Sequence, residues 1–237
     1  MKLKKIILFV TLFLLFFLFL IYKGYIWPNQ LFAKNYLIHG IDISHHQNEI
    51  NWGNIADDSK IKFAFIKATE GEDFIDPLFE TNWSNSKNAG LIRGAYHFYS
   101  FSSSGKAQAE NFISNVPVEE NTLPPVIDIE FSGNSKNVPS REELTKELNI
   151  FISIIENTYK QKPILYLTYD SYNDFIKGDY EEYDIWIRDI VKPPNLENQD
   201  WLFWQYSNRG RIEGINTYVD QNVFYGDMEE FEKLLTK

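Results

Sequence analysis

The 237-residue sequence has no cysteine. Disulfides, thiolate metal sites and a cysteine nucleophile are therefore excluded. An oxidising compartment is not, because a domain of this size is stable without cross-links. Histidine is scarce, with four residues: His39, His45, His46 and His97. His45 and His46 are adjacent, so on a strand they would face opposite ways. A metal site ranks well below a protonic one, and His97 in "GAYHFYS" reads as a hydrogen-bonded wall residue. No G-x-S-x-G, Walker loop or G-x-G-x-x-G occurs, so serine-nucleophile and nucleotide chemistry have no support. Basic charge is also short. The first 23 residues hold four lysines and no acid, which leaves 19 basic against 33 acidic residues in the remainder, a net of −14. Such a domain is a poor partner for nucleic acid or anionic lipid.

Long hydrophobic runs are confined to one place. Lys2, Lys4 and Lys5 precede "IILFVTLFLLFFLFLIY" at 6–22, and Lys23 closes it. Seventeen apolar residues without a charge are near the lower limit for a bilayer span. No A-x-A cleavage pattern follows, and Tyr25 and Trp27 read as interface aromatics. Residues 1–23 are expected to be an uncleaved signal anchor, with lysines inside and the rest outside the cytoplasm. If the segment is cleaved, the domain is secreted. Residues 24–36 read as a linker, and 37–237 as one domain, for which a monomer is expected.

In that domain, strand and helix patterns alternate. Strands are expected at 40–44, 62–69, 92–100, 125–130, 163–169, 183–189, 201–207 and 217–225. The clearest helix is 140–160, where Ser140 and Glu143 form a capping box. Leu144, Leu148, Phe151, Ile152 and Ile155 then recur at helical spacing. Further helices are expected at 77–90 and 104–115. Intervals after 183 are too short for full helices. The expected fold is α/β: a single TIM-like barrel of five βα units followed by three strands. A doubly wound open sheet is the competitor.

The stretch "PPVIDIEFSG" (124–133) holds two acids one residue apart. Alternation puts Ile127 and Ile129 on one face and Asp128 and Glu130 on the other. The acids then lie at a strand's C-terminal end, where barrel active sites sit. Two close, partly desolvated carboxylates cannot ionise independently, so one becomes available as a general acid near neutral pH. Asp42 in "GIDISHHQ" and Asp220 in "TYVDQN" fall on the first and last strands, which are neighbours in a closed barrel. Four acids thus converge on one mouth, which is costly unless functional. Tyr96, Phe98, Tyr166, Tyr169, Trp186, Trp204 and Tyr206 lie in or at the ends of strands. Near an acidic mouth they suit a sugar site. Lys67 in "FIKATEG" either faces the lumen or sits at a strand edge.

These motifs, in this order, resemble glycoside hydrolase family 25, the Chalaropsis-type muramidases. The resemblance runs from about Gly40 to Asp227 and rests on "GIDISHHQ", "FAFIKATEG", "AGLIRGAYHFY", "LPPVIDIE" and "WLFWQYSNRGRIEGINTYVDQNVF". It implies a barrel of five βα units and three strands. It also implies cleavage of the β-1,4 bond from N-acetylmuramic acid to N-acetylglucosamine in peptidoglycan. Glu130 would be the general acid and Asp128, Asp42 and Asp220 supporting acids, with Tyr96, Tyr166, Trp186, Gln205 and Lys67 binding substrate and no metal or cofactor. Two departures stand out. Arg188 and Asp189 in "WIRDI" stand where the family often has an alanine and an aromatic, and would alter a cleft wall. Asn51 stands where aspartate is common. The rival readings are a non-catalytic glycan-binding protein on the same fold, a metal-dependent amidohydrolase using His45 and His46, and a chitinase. The chitinase signature D-x-x-D-x-D-x-E is not matched.

Overall fold

The computed structural model describes residues 2–134, 138–197 and 199–236. Eight strands close into a barrel: β1 (Ile38–Ile43), β2 (Ile61–Glu70), β4 (Ile92–Phe98), β5 (Val126–Ile129), β6 (Ile164–Leu167), β7 (Ile185–Arg188), β8 (Phe203–Gly210) and β9 (Val219–Phe224). A two-residue strand, β3 (Phe74–Ile75), forms a hairpin on β2. Barrel neighbours from β1 round to β8 are parallel. β9 runs antiparallel to both β8 and β1, and the β1–β2 and β1–β9 pairings close the ring. This excludes the open sheet.

Helices α3 (Trp52–Asp57), α4 (Phe79–Asn88), α5 (Gly105–Asn115), α6 (Arg141–Tyr159) and α7 (Tyr169–Ser171) follow β1, β3, β4, β5 and β6 in turn. The last runs into a single π turn, Tyr172–Ile176. Among the described residues no helix separates β7, β8 and β9. Helix α6 begins where Ser140 and Glu143 satisfy each other's backbone N–H groups, the reciprocal cap that offsets orphaned first-turn donors. Its buried stripe Leu144, Leu148, Phe151, Ile152 and Ile155 shares a core with Ile127 and Ile129. That packing fixes the parity of β5, so Val126 and Asp128 face the lumen.

The lumen is plugged from below. Phe63, Phe203 and Phe224 meet Phe231 of α8 (Met228–Lys233), and Phe65 packs on Phe63 and Phe203, with ring contacts at 5.1–6.4 Å. Each ring so buried stabilises by roughly 1.5–3 kcal/mol. The strands' N-terminal ends are therefore shut, and the opening lies at their C-terminal ends.

Residues 24–36, expected as a linker, form a strap on the barrel wall. Asn29 is fully buried, and its side-chain amide donates to the carbonyls of Asp189 (2.9 Å) and Tyr206 (3.1 Å). Trp27, expected at a membrane interface, donates its indole N–H to the Ile190 carbonyl (3.1 Å). Ala33, in the short α2 (Gln30–Ala33), packs with Trp204, Tyr206 and Val223. Tyr36 contacts the rings of Trp201, Trp204 and Tyr225. The physical reason is the missing helices. The outward faces of β8 and β9 are apolar, and the strap covers them. Trp204 and Tyr206, expected near the mouth, belong to this outer layer because Gln205 between them points inward.

Ahead of the strap stands α1 (Lys2–Tyr22), long and apolar enough to cross a membrane; an export signal passes the same test. Its residues from Lys2 to Phe19 are exposed, so it does not lie along the barrel.

Candidate active site

The four acids meet in one cavity of about 210 Å³ at the open end of the barrel. Two larger hollows, of about 500 and 870 Å³, lie on the outer wall around α3, and a third, of about 370 Å³, is lined by Tyr99, Phe101 and Glu147. None contains any of these four acids, which makes the smaller cavity the candidate site. Asp42, Asp128, Glu130, Asp220, Lys67, Tyr96, Tyr166, Trp186 and Gln205 all line it, joined by Ser44, His46 and Phe98.

Its floor is a hydrogen-bond relay. The Tyr166 hydroxyl donates to Gln205 Oε1 (3.0 Å), and the Trp186 indole N–H donates to Asn222 Oδ1 (2.9 Å). With their oxygens occupied, both amides turn their N–H groups to Asp42 Oδ2, at 3.0 Å from Gln205 and 2.7 Å from Asn222. This orientation requires an acceptor, which Asp42 Oδ2 supplies. Asp220, its cross-strand partner on β9, hydrogen-bonds the same carboxylate. Burial, and then the charge of Asp42, hold the Asp220 carboxyl well above the usual carboxylate range. Burial also raises Asp42, opposed by the hydrogen bonds from Asn222, Gln205 and Asp220.

Asp128 is 8% exposed, and its Oδ1 has no hydrogen-bond partner among the described residues. Burial and the neighbouring Glu130 push its carboxyl well up, against the pull of Lys67. Glu130, half-buried at the rim, is raised by burial and by Asp42, with Arg188 and Lys67 opposing. An acid so placed keeps its proton further toward neutrality than a free glutamate.

Lys67 faces the lumen. Its ammonium pairs with Glu70 (2.7 Å) and lies 4.9 Å from the centre of the Phe98 ring. The register of β2 against β4 shifts between Lys67 and Thr69, a bulge of the kind that re-aims side chains beside active sites. Beyond it Thr69 faces His97, which is buried between Thr69 (2.7 Å) and Gln108 (3.1 Å). Burial lowers the His97 pKa to about 3.

Trp186 does not offer a free ring for stacking. It is 2% exposed, stacked on Phe65 at 4.5 Å and met edge-on by Tyr166 at 4.6 Å. Gln205, also 2% exposed, acts through the floor relay. Tyr169 packs at the edge of the outer core, and its hydroxyl accepts from the Asn195 N–H. Parity places two further lumen residues, Asn222, which the sequence reading left out, and Arg188, which it set at the cleft wall. Asn222 follows Asp220 by two, and Arg188 follows Trp186 by two. His46 was not readable that way, because a 3-10 turn (His45–Gln47) places it. Asp76 anchors that turn by accepting from the His45 backbone N–H (2.9 Å) and ring Nδ1 (2.7 Å).

The two departures in "WIRDI" separate. Asp189 is no cleft wall: its carboxylate accepts the backbone N–H groups of Val191 and Lys192, and its carbonyl accepts the Trp204 indole. Arg188 shares the Trp186 face, and its charge favours the ionised forms of Glu130, Asp42 and Asp220. Removing it therefore raises the Glu130 pKa. For Arg188→Ala, the alkaline limb of a pH–rate profile is expected to move to higher pH. An unmoved or acid-shifted limb would contradict this placement.

A model of the family described as "Glycosyl hydrolases family 25" matches residues 41–215. Lysozyme M1 of Streptomyces globisporus is 36% identical over 203 residues, covering 80% of this chain and 68% of that protein. The uncharacterised protein YegX of Escherichia coli K12 is 39% identical over 203 residues, covering 84% of this chain and 73% of its own length. The structure of a family 25 glycosyl hydrolase from Bacillus anthracis superposes with a TM-score of 0.80 at 48% identity, covering 84% of this chain and 94% of that one. With the family model spanning well over half its length, the chain is a glycoside hydrolase and belongs to glycosyl hydrolase family 25.

Proposed function

We propose that this enzyme hydrolyses the glycan of peptidoglycan at the β-1,4 bond following N-acetylmuramic acid. The observation that carries the reading is the placement, in one cavity, of a half-buried Glu130 at the rim beside a buried Asp128 whose Oδ1 is unpartnered among the described residues. Relatives named lysozyme and N,O-diacetylmuramidase support the substrate.

Glu130 donates its proton to the leaving glycosidic oxygen. Asp128 and Glu130 stand on one strand, which disfavours attack by one carboxylate across the bond from the other. The substrate's own 2-acetamido oxygen then attacks the anomeric carbon, while Asp128 Oδ1 accepts the acetamido N–H and orients it. The glycosidic C–O bond breaks, an oxazolinium ring forms, and water deprotonated by Glu130 opens the ring with overall retention. Asp42 is a poor rival nucleophile because its carboxylate already accepts several hydrogen bonds. Asp220 is a poor one because burial and the charge of Asp42 oppose its ionised form. The lysine-flanked α1 supports an anchored enzyme acting outside the cytoplasm.

The test digests purified peptidoglycan with the full chain in detergent, reduces the products and identifies the new ends by mass spectrometry. Muramitol ends are expected; glucosaminitol ends would reverse the bond, and binding without cleavage would favour a glycan-binding protein. For the mechanism, a substrate carrying a free 2-amine in place of the acetamido group on the muramic residue is expected to lose at least about 100-fold in kcat. Normal turnover of it sinks the acetamido route.

A further inference from the structure

The point where α1 meets the barrel is built, not loose. The Tyr22 carbonyl accepts from Arg209 Nη1 (2.8 Å) and the Tyr218 hydroxyl (3.4 Å), and the Lys23 carbonyl accepts from Arg211 Nε (2.7 Å). The Arg209 guanidinium lies 5.2 Å from the Tyr22 ring centre, and that of Arg211 4.8 Å from Tyr25. Gly24 holds φ +67°, and a Cβ there would collide with the Arg209 carbonyl oxygen, so only glycine fits this seat. From Gly24 the strap is fixed to the wall by Trp27, Asn29, Ala33 and Tyr36.

This collar lies at the open end of the barrel. Arg209 is near the C-terminal end of β8, and Tyr218 precedes Asp220 by two residues, about 7 Å of strand. The Tyr218 carbonyl also accepts from the Gln47 side chain, at the end of the 3-10 turn that carries His46. The helix therefore leaves the molecule beside the catalytic cavity rather than beneath the plugged base. A span ending at Tyr22 puts the collar's tyrosines and cations at the headgroup level, where such residues are enriched. It also sets basic residues against the membrane in a domain that is otherwise strongly acidic.

We propose that the collar and strap hold the cleft at the bilayer surface, and that the substrate class is glycan joined to a membrane lipid. This rests on the anchored-muramidase reading. A flexible tether of the strap's length would let the cleft wander by about 20 Å; a seated strap restricts it to bonds close to the lipid.

The experiment places the full chain in vesicles that carry glycan strands of uniform length joined to lipid, and measures the length of glycan left on the lipid. The comparison is a variant with about 20 flexible Gly/Ser residues, reaching ~25 Å, inserted between Lys23 and Gly24. The wild type is expected to leave short stubs, and the variant stubs roughly threefold longer or spread in length. Both should cut soluble glycan at rates within about twofold, since the barrel and strap are untouched. Equal stub lengths, or wild-type stubs spread evenly, overturn the proposal while leaving the muramidase reading standing. Failure of both proteins on soluble glycan, or removal of α1 from the cellular protein, overturns it through the reading beneath it.

Discussion

Glu130→Gln is expected to lower kcat on peptidoglycan by roughly 10²–10⁴-fold, the usual contribution of a positioned general acid. The amide keeps the size of the side chain but has no proton to give to the leaving oxygen. KM should change little, because the floor relay of Tyr166, Gln205, Asn222 and Asp42 does not involve Glu130. Stability should move the other way. The folded-state pKa of Glu130 is raised, so the fold favours its protonated form. Its stabilising contribution is present below the unfolded pKa and is lost as pH rises through the folded one. A neutral amide removes that loss, so the melting temperature of Glu130→Gln at neutral pH should equal or exceed the wild type's. A variant that is inactive and also melts well below wild type would show a structural role instead.

Asp42→Ala is expected to damage the fold as well as the reaction. Asp42 Oδ2 is the acceptor for the side-chain N–H groups of Gln205 and Asn222, and Asp220 hydrogen-bonds the same carboxylate. Gln205 and Asn222 cannot turn their amides round, because the Tyr166 hydroxyl and the Trp186 indole N–H already occupy their oxygens. Alanine leaves buried donors facing nothing, at about 1–3 kcal/mol each. The melting temperature should fall by about 4–24 °C for a chain of this size. Asp42→Asn keeps one acceptor oxygen and should recover part of that loss without recovering activity. Thermal unfolding of the two variants side by side checks the point; equal melting temperatures for wild type and Asp42→Ala would contradict the relay.

The acids were legible from strand parity alone. Ile127 and Ile129 had to meet helix α6, so Asp128 had to face the lumen, and Asp42 and Asp220 met because first and last strands are neighbours in a ring. The same parity, applied to "WLFWQYS", would have sent Trp204 and Tyr206 outward once Gln205 was placed inward. Gathering aromatics by their nearness to strand ends ignored it. The strap could not be read. Trp27 acts through one hydrogen bond and Asn29 through two, all to carbonyls about 160 or more residues away, and no local periodicity marks such bonds. His46 was hidden for a related reason, since Asp76, 31 residues beyond His45, aims the turn that carries it.

The pairing of β1 with β9 also has a bearing on synthesis. Asp42 and Asp220 become neighbours only when strands about 180 residues apart have met, and contacts that distant form late and slowly. An incomplete chain therefore carries no assembled acid cluster: Asp220 joins Asp42 only once β9 has been made and has paired with β1.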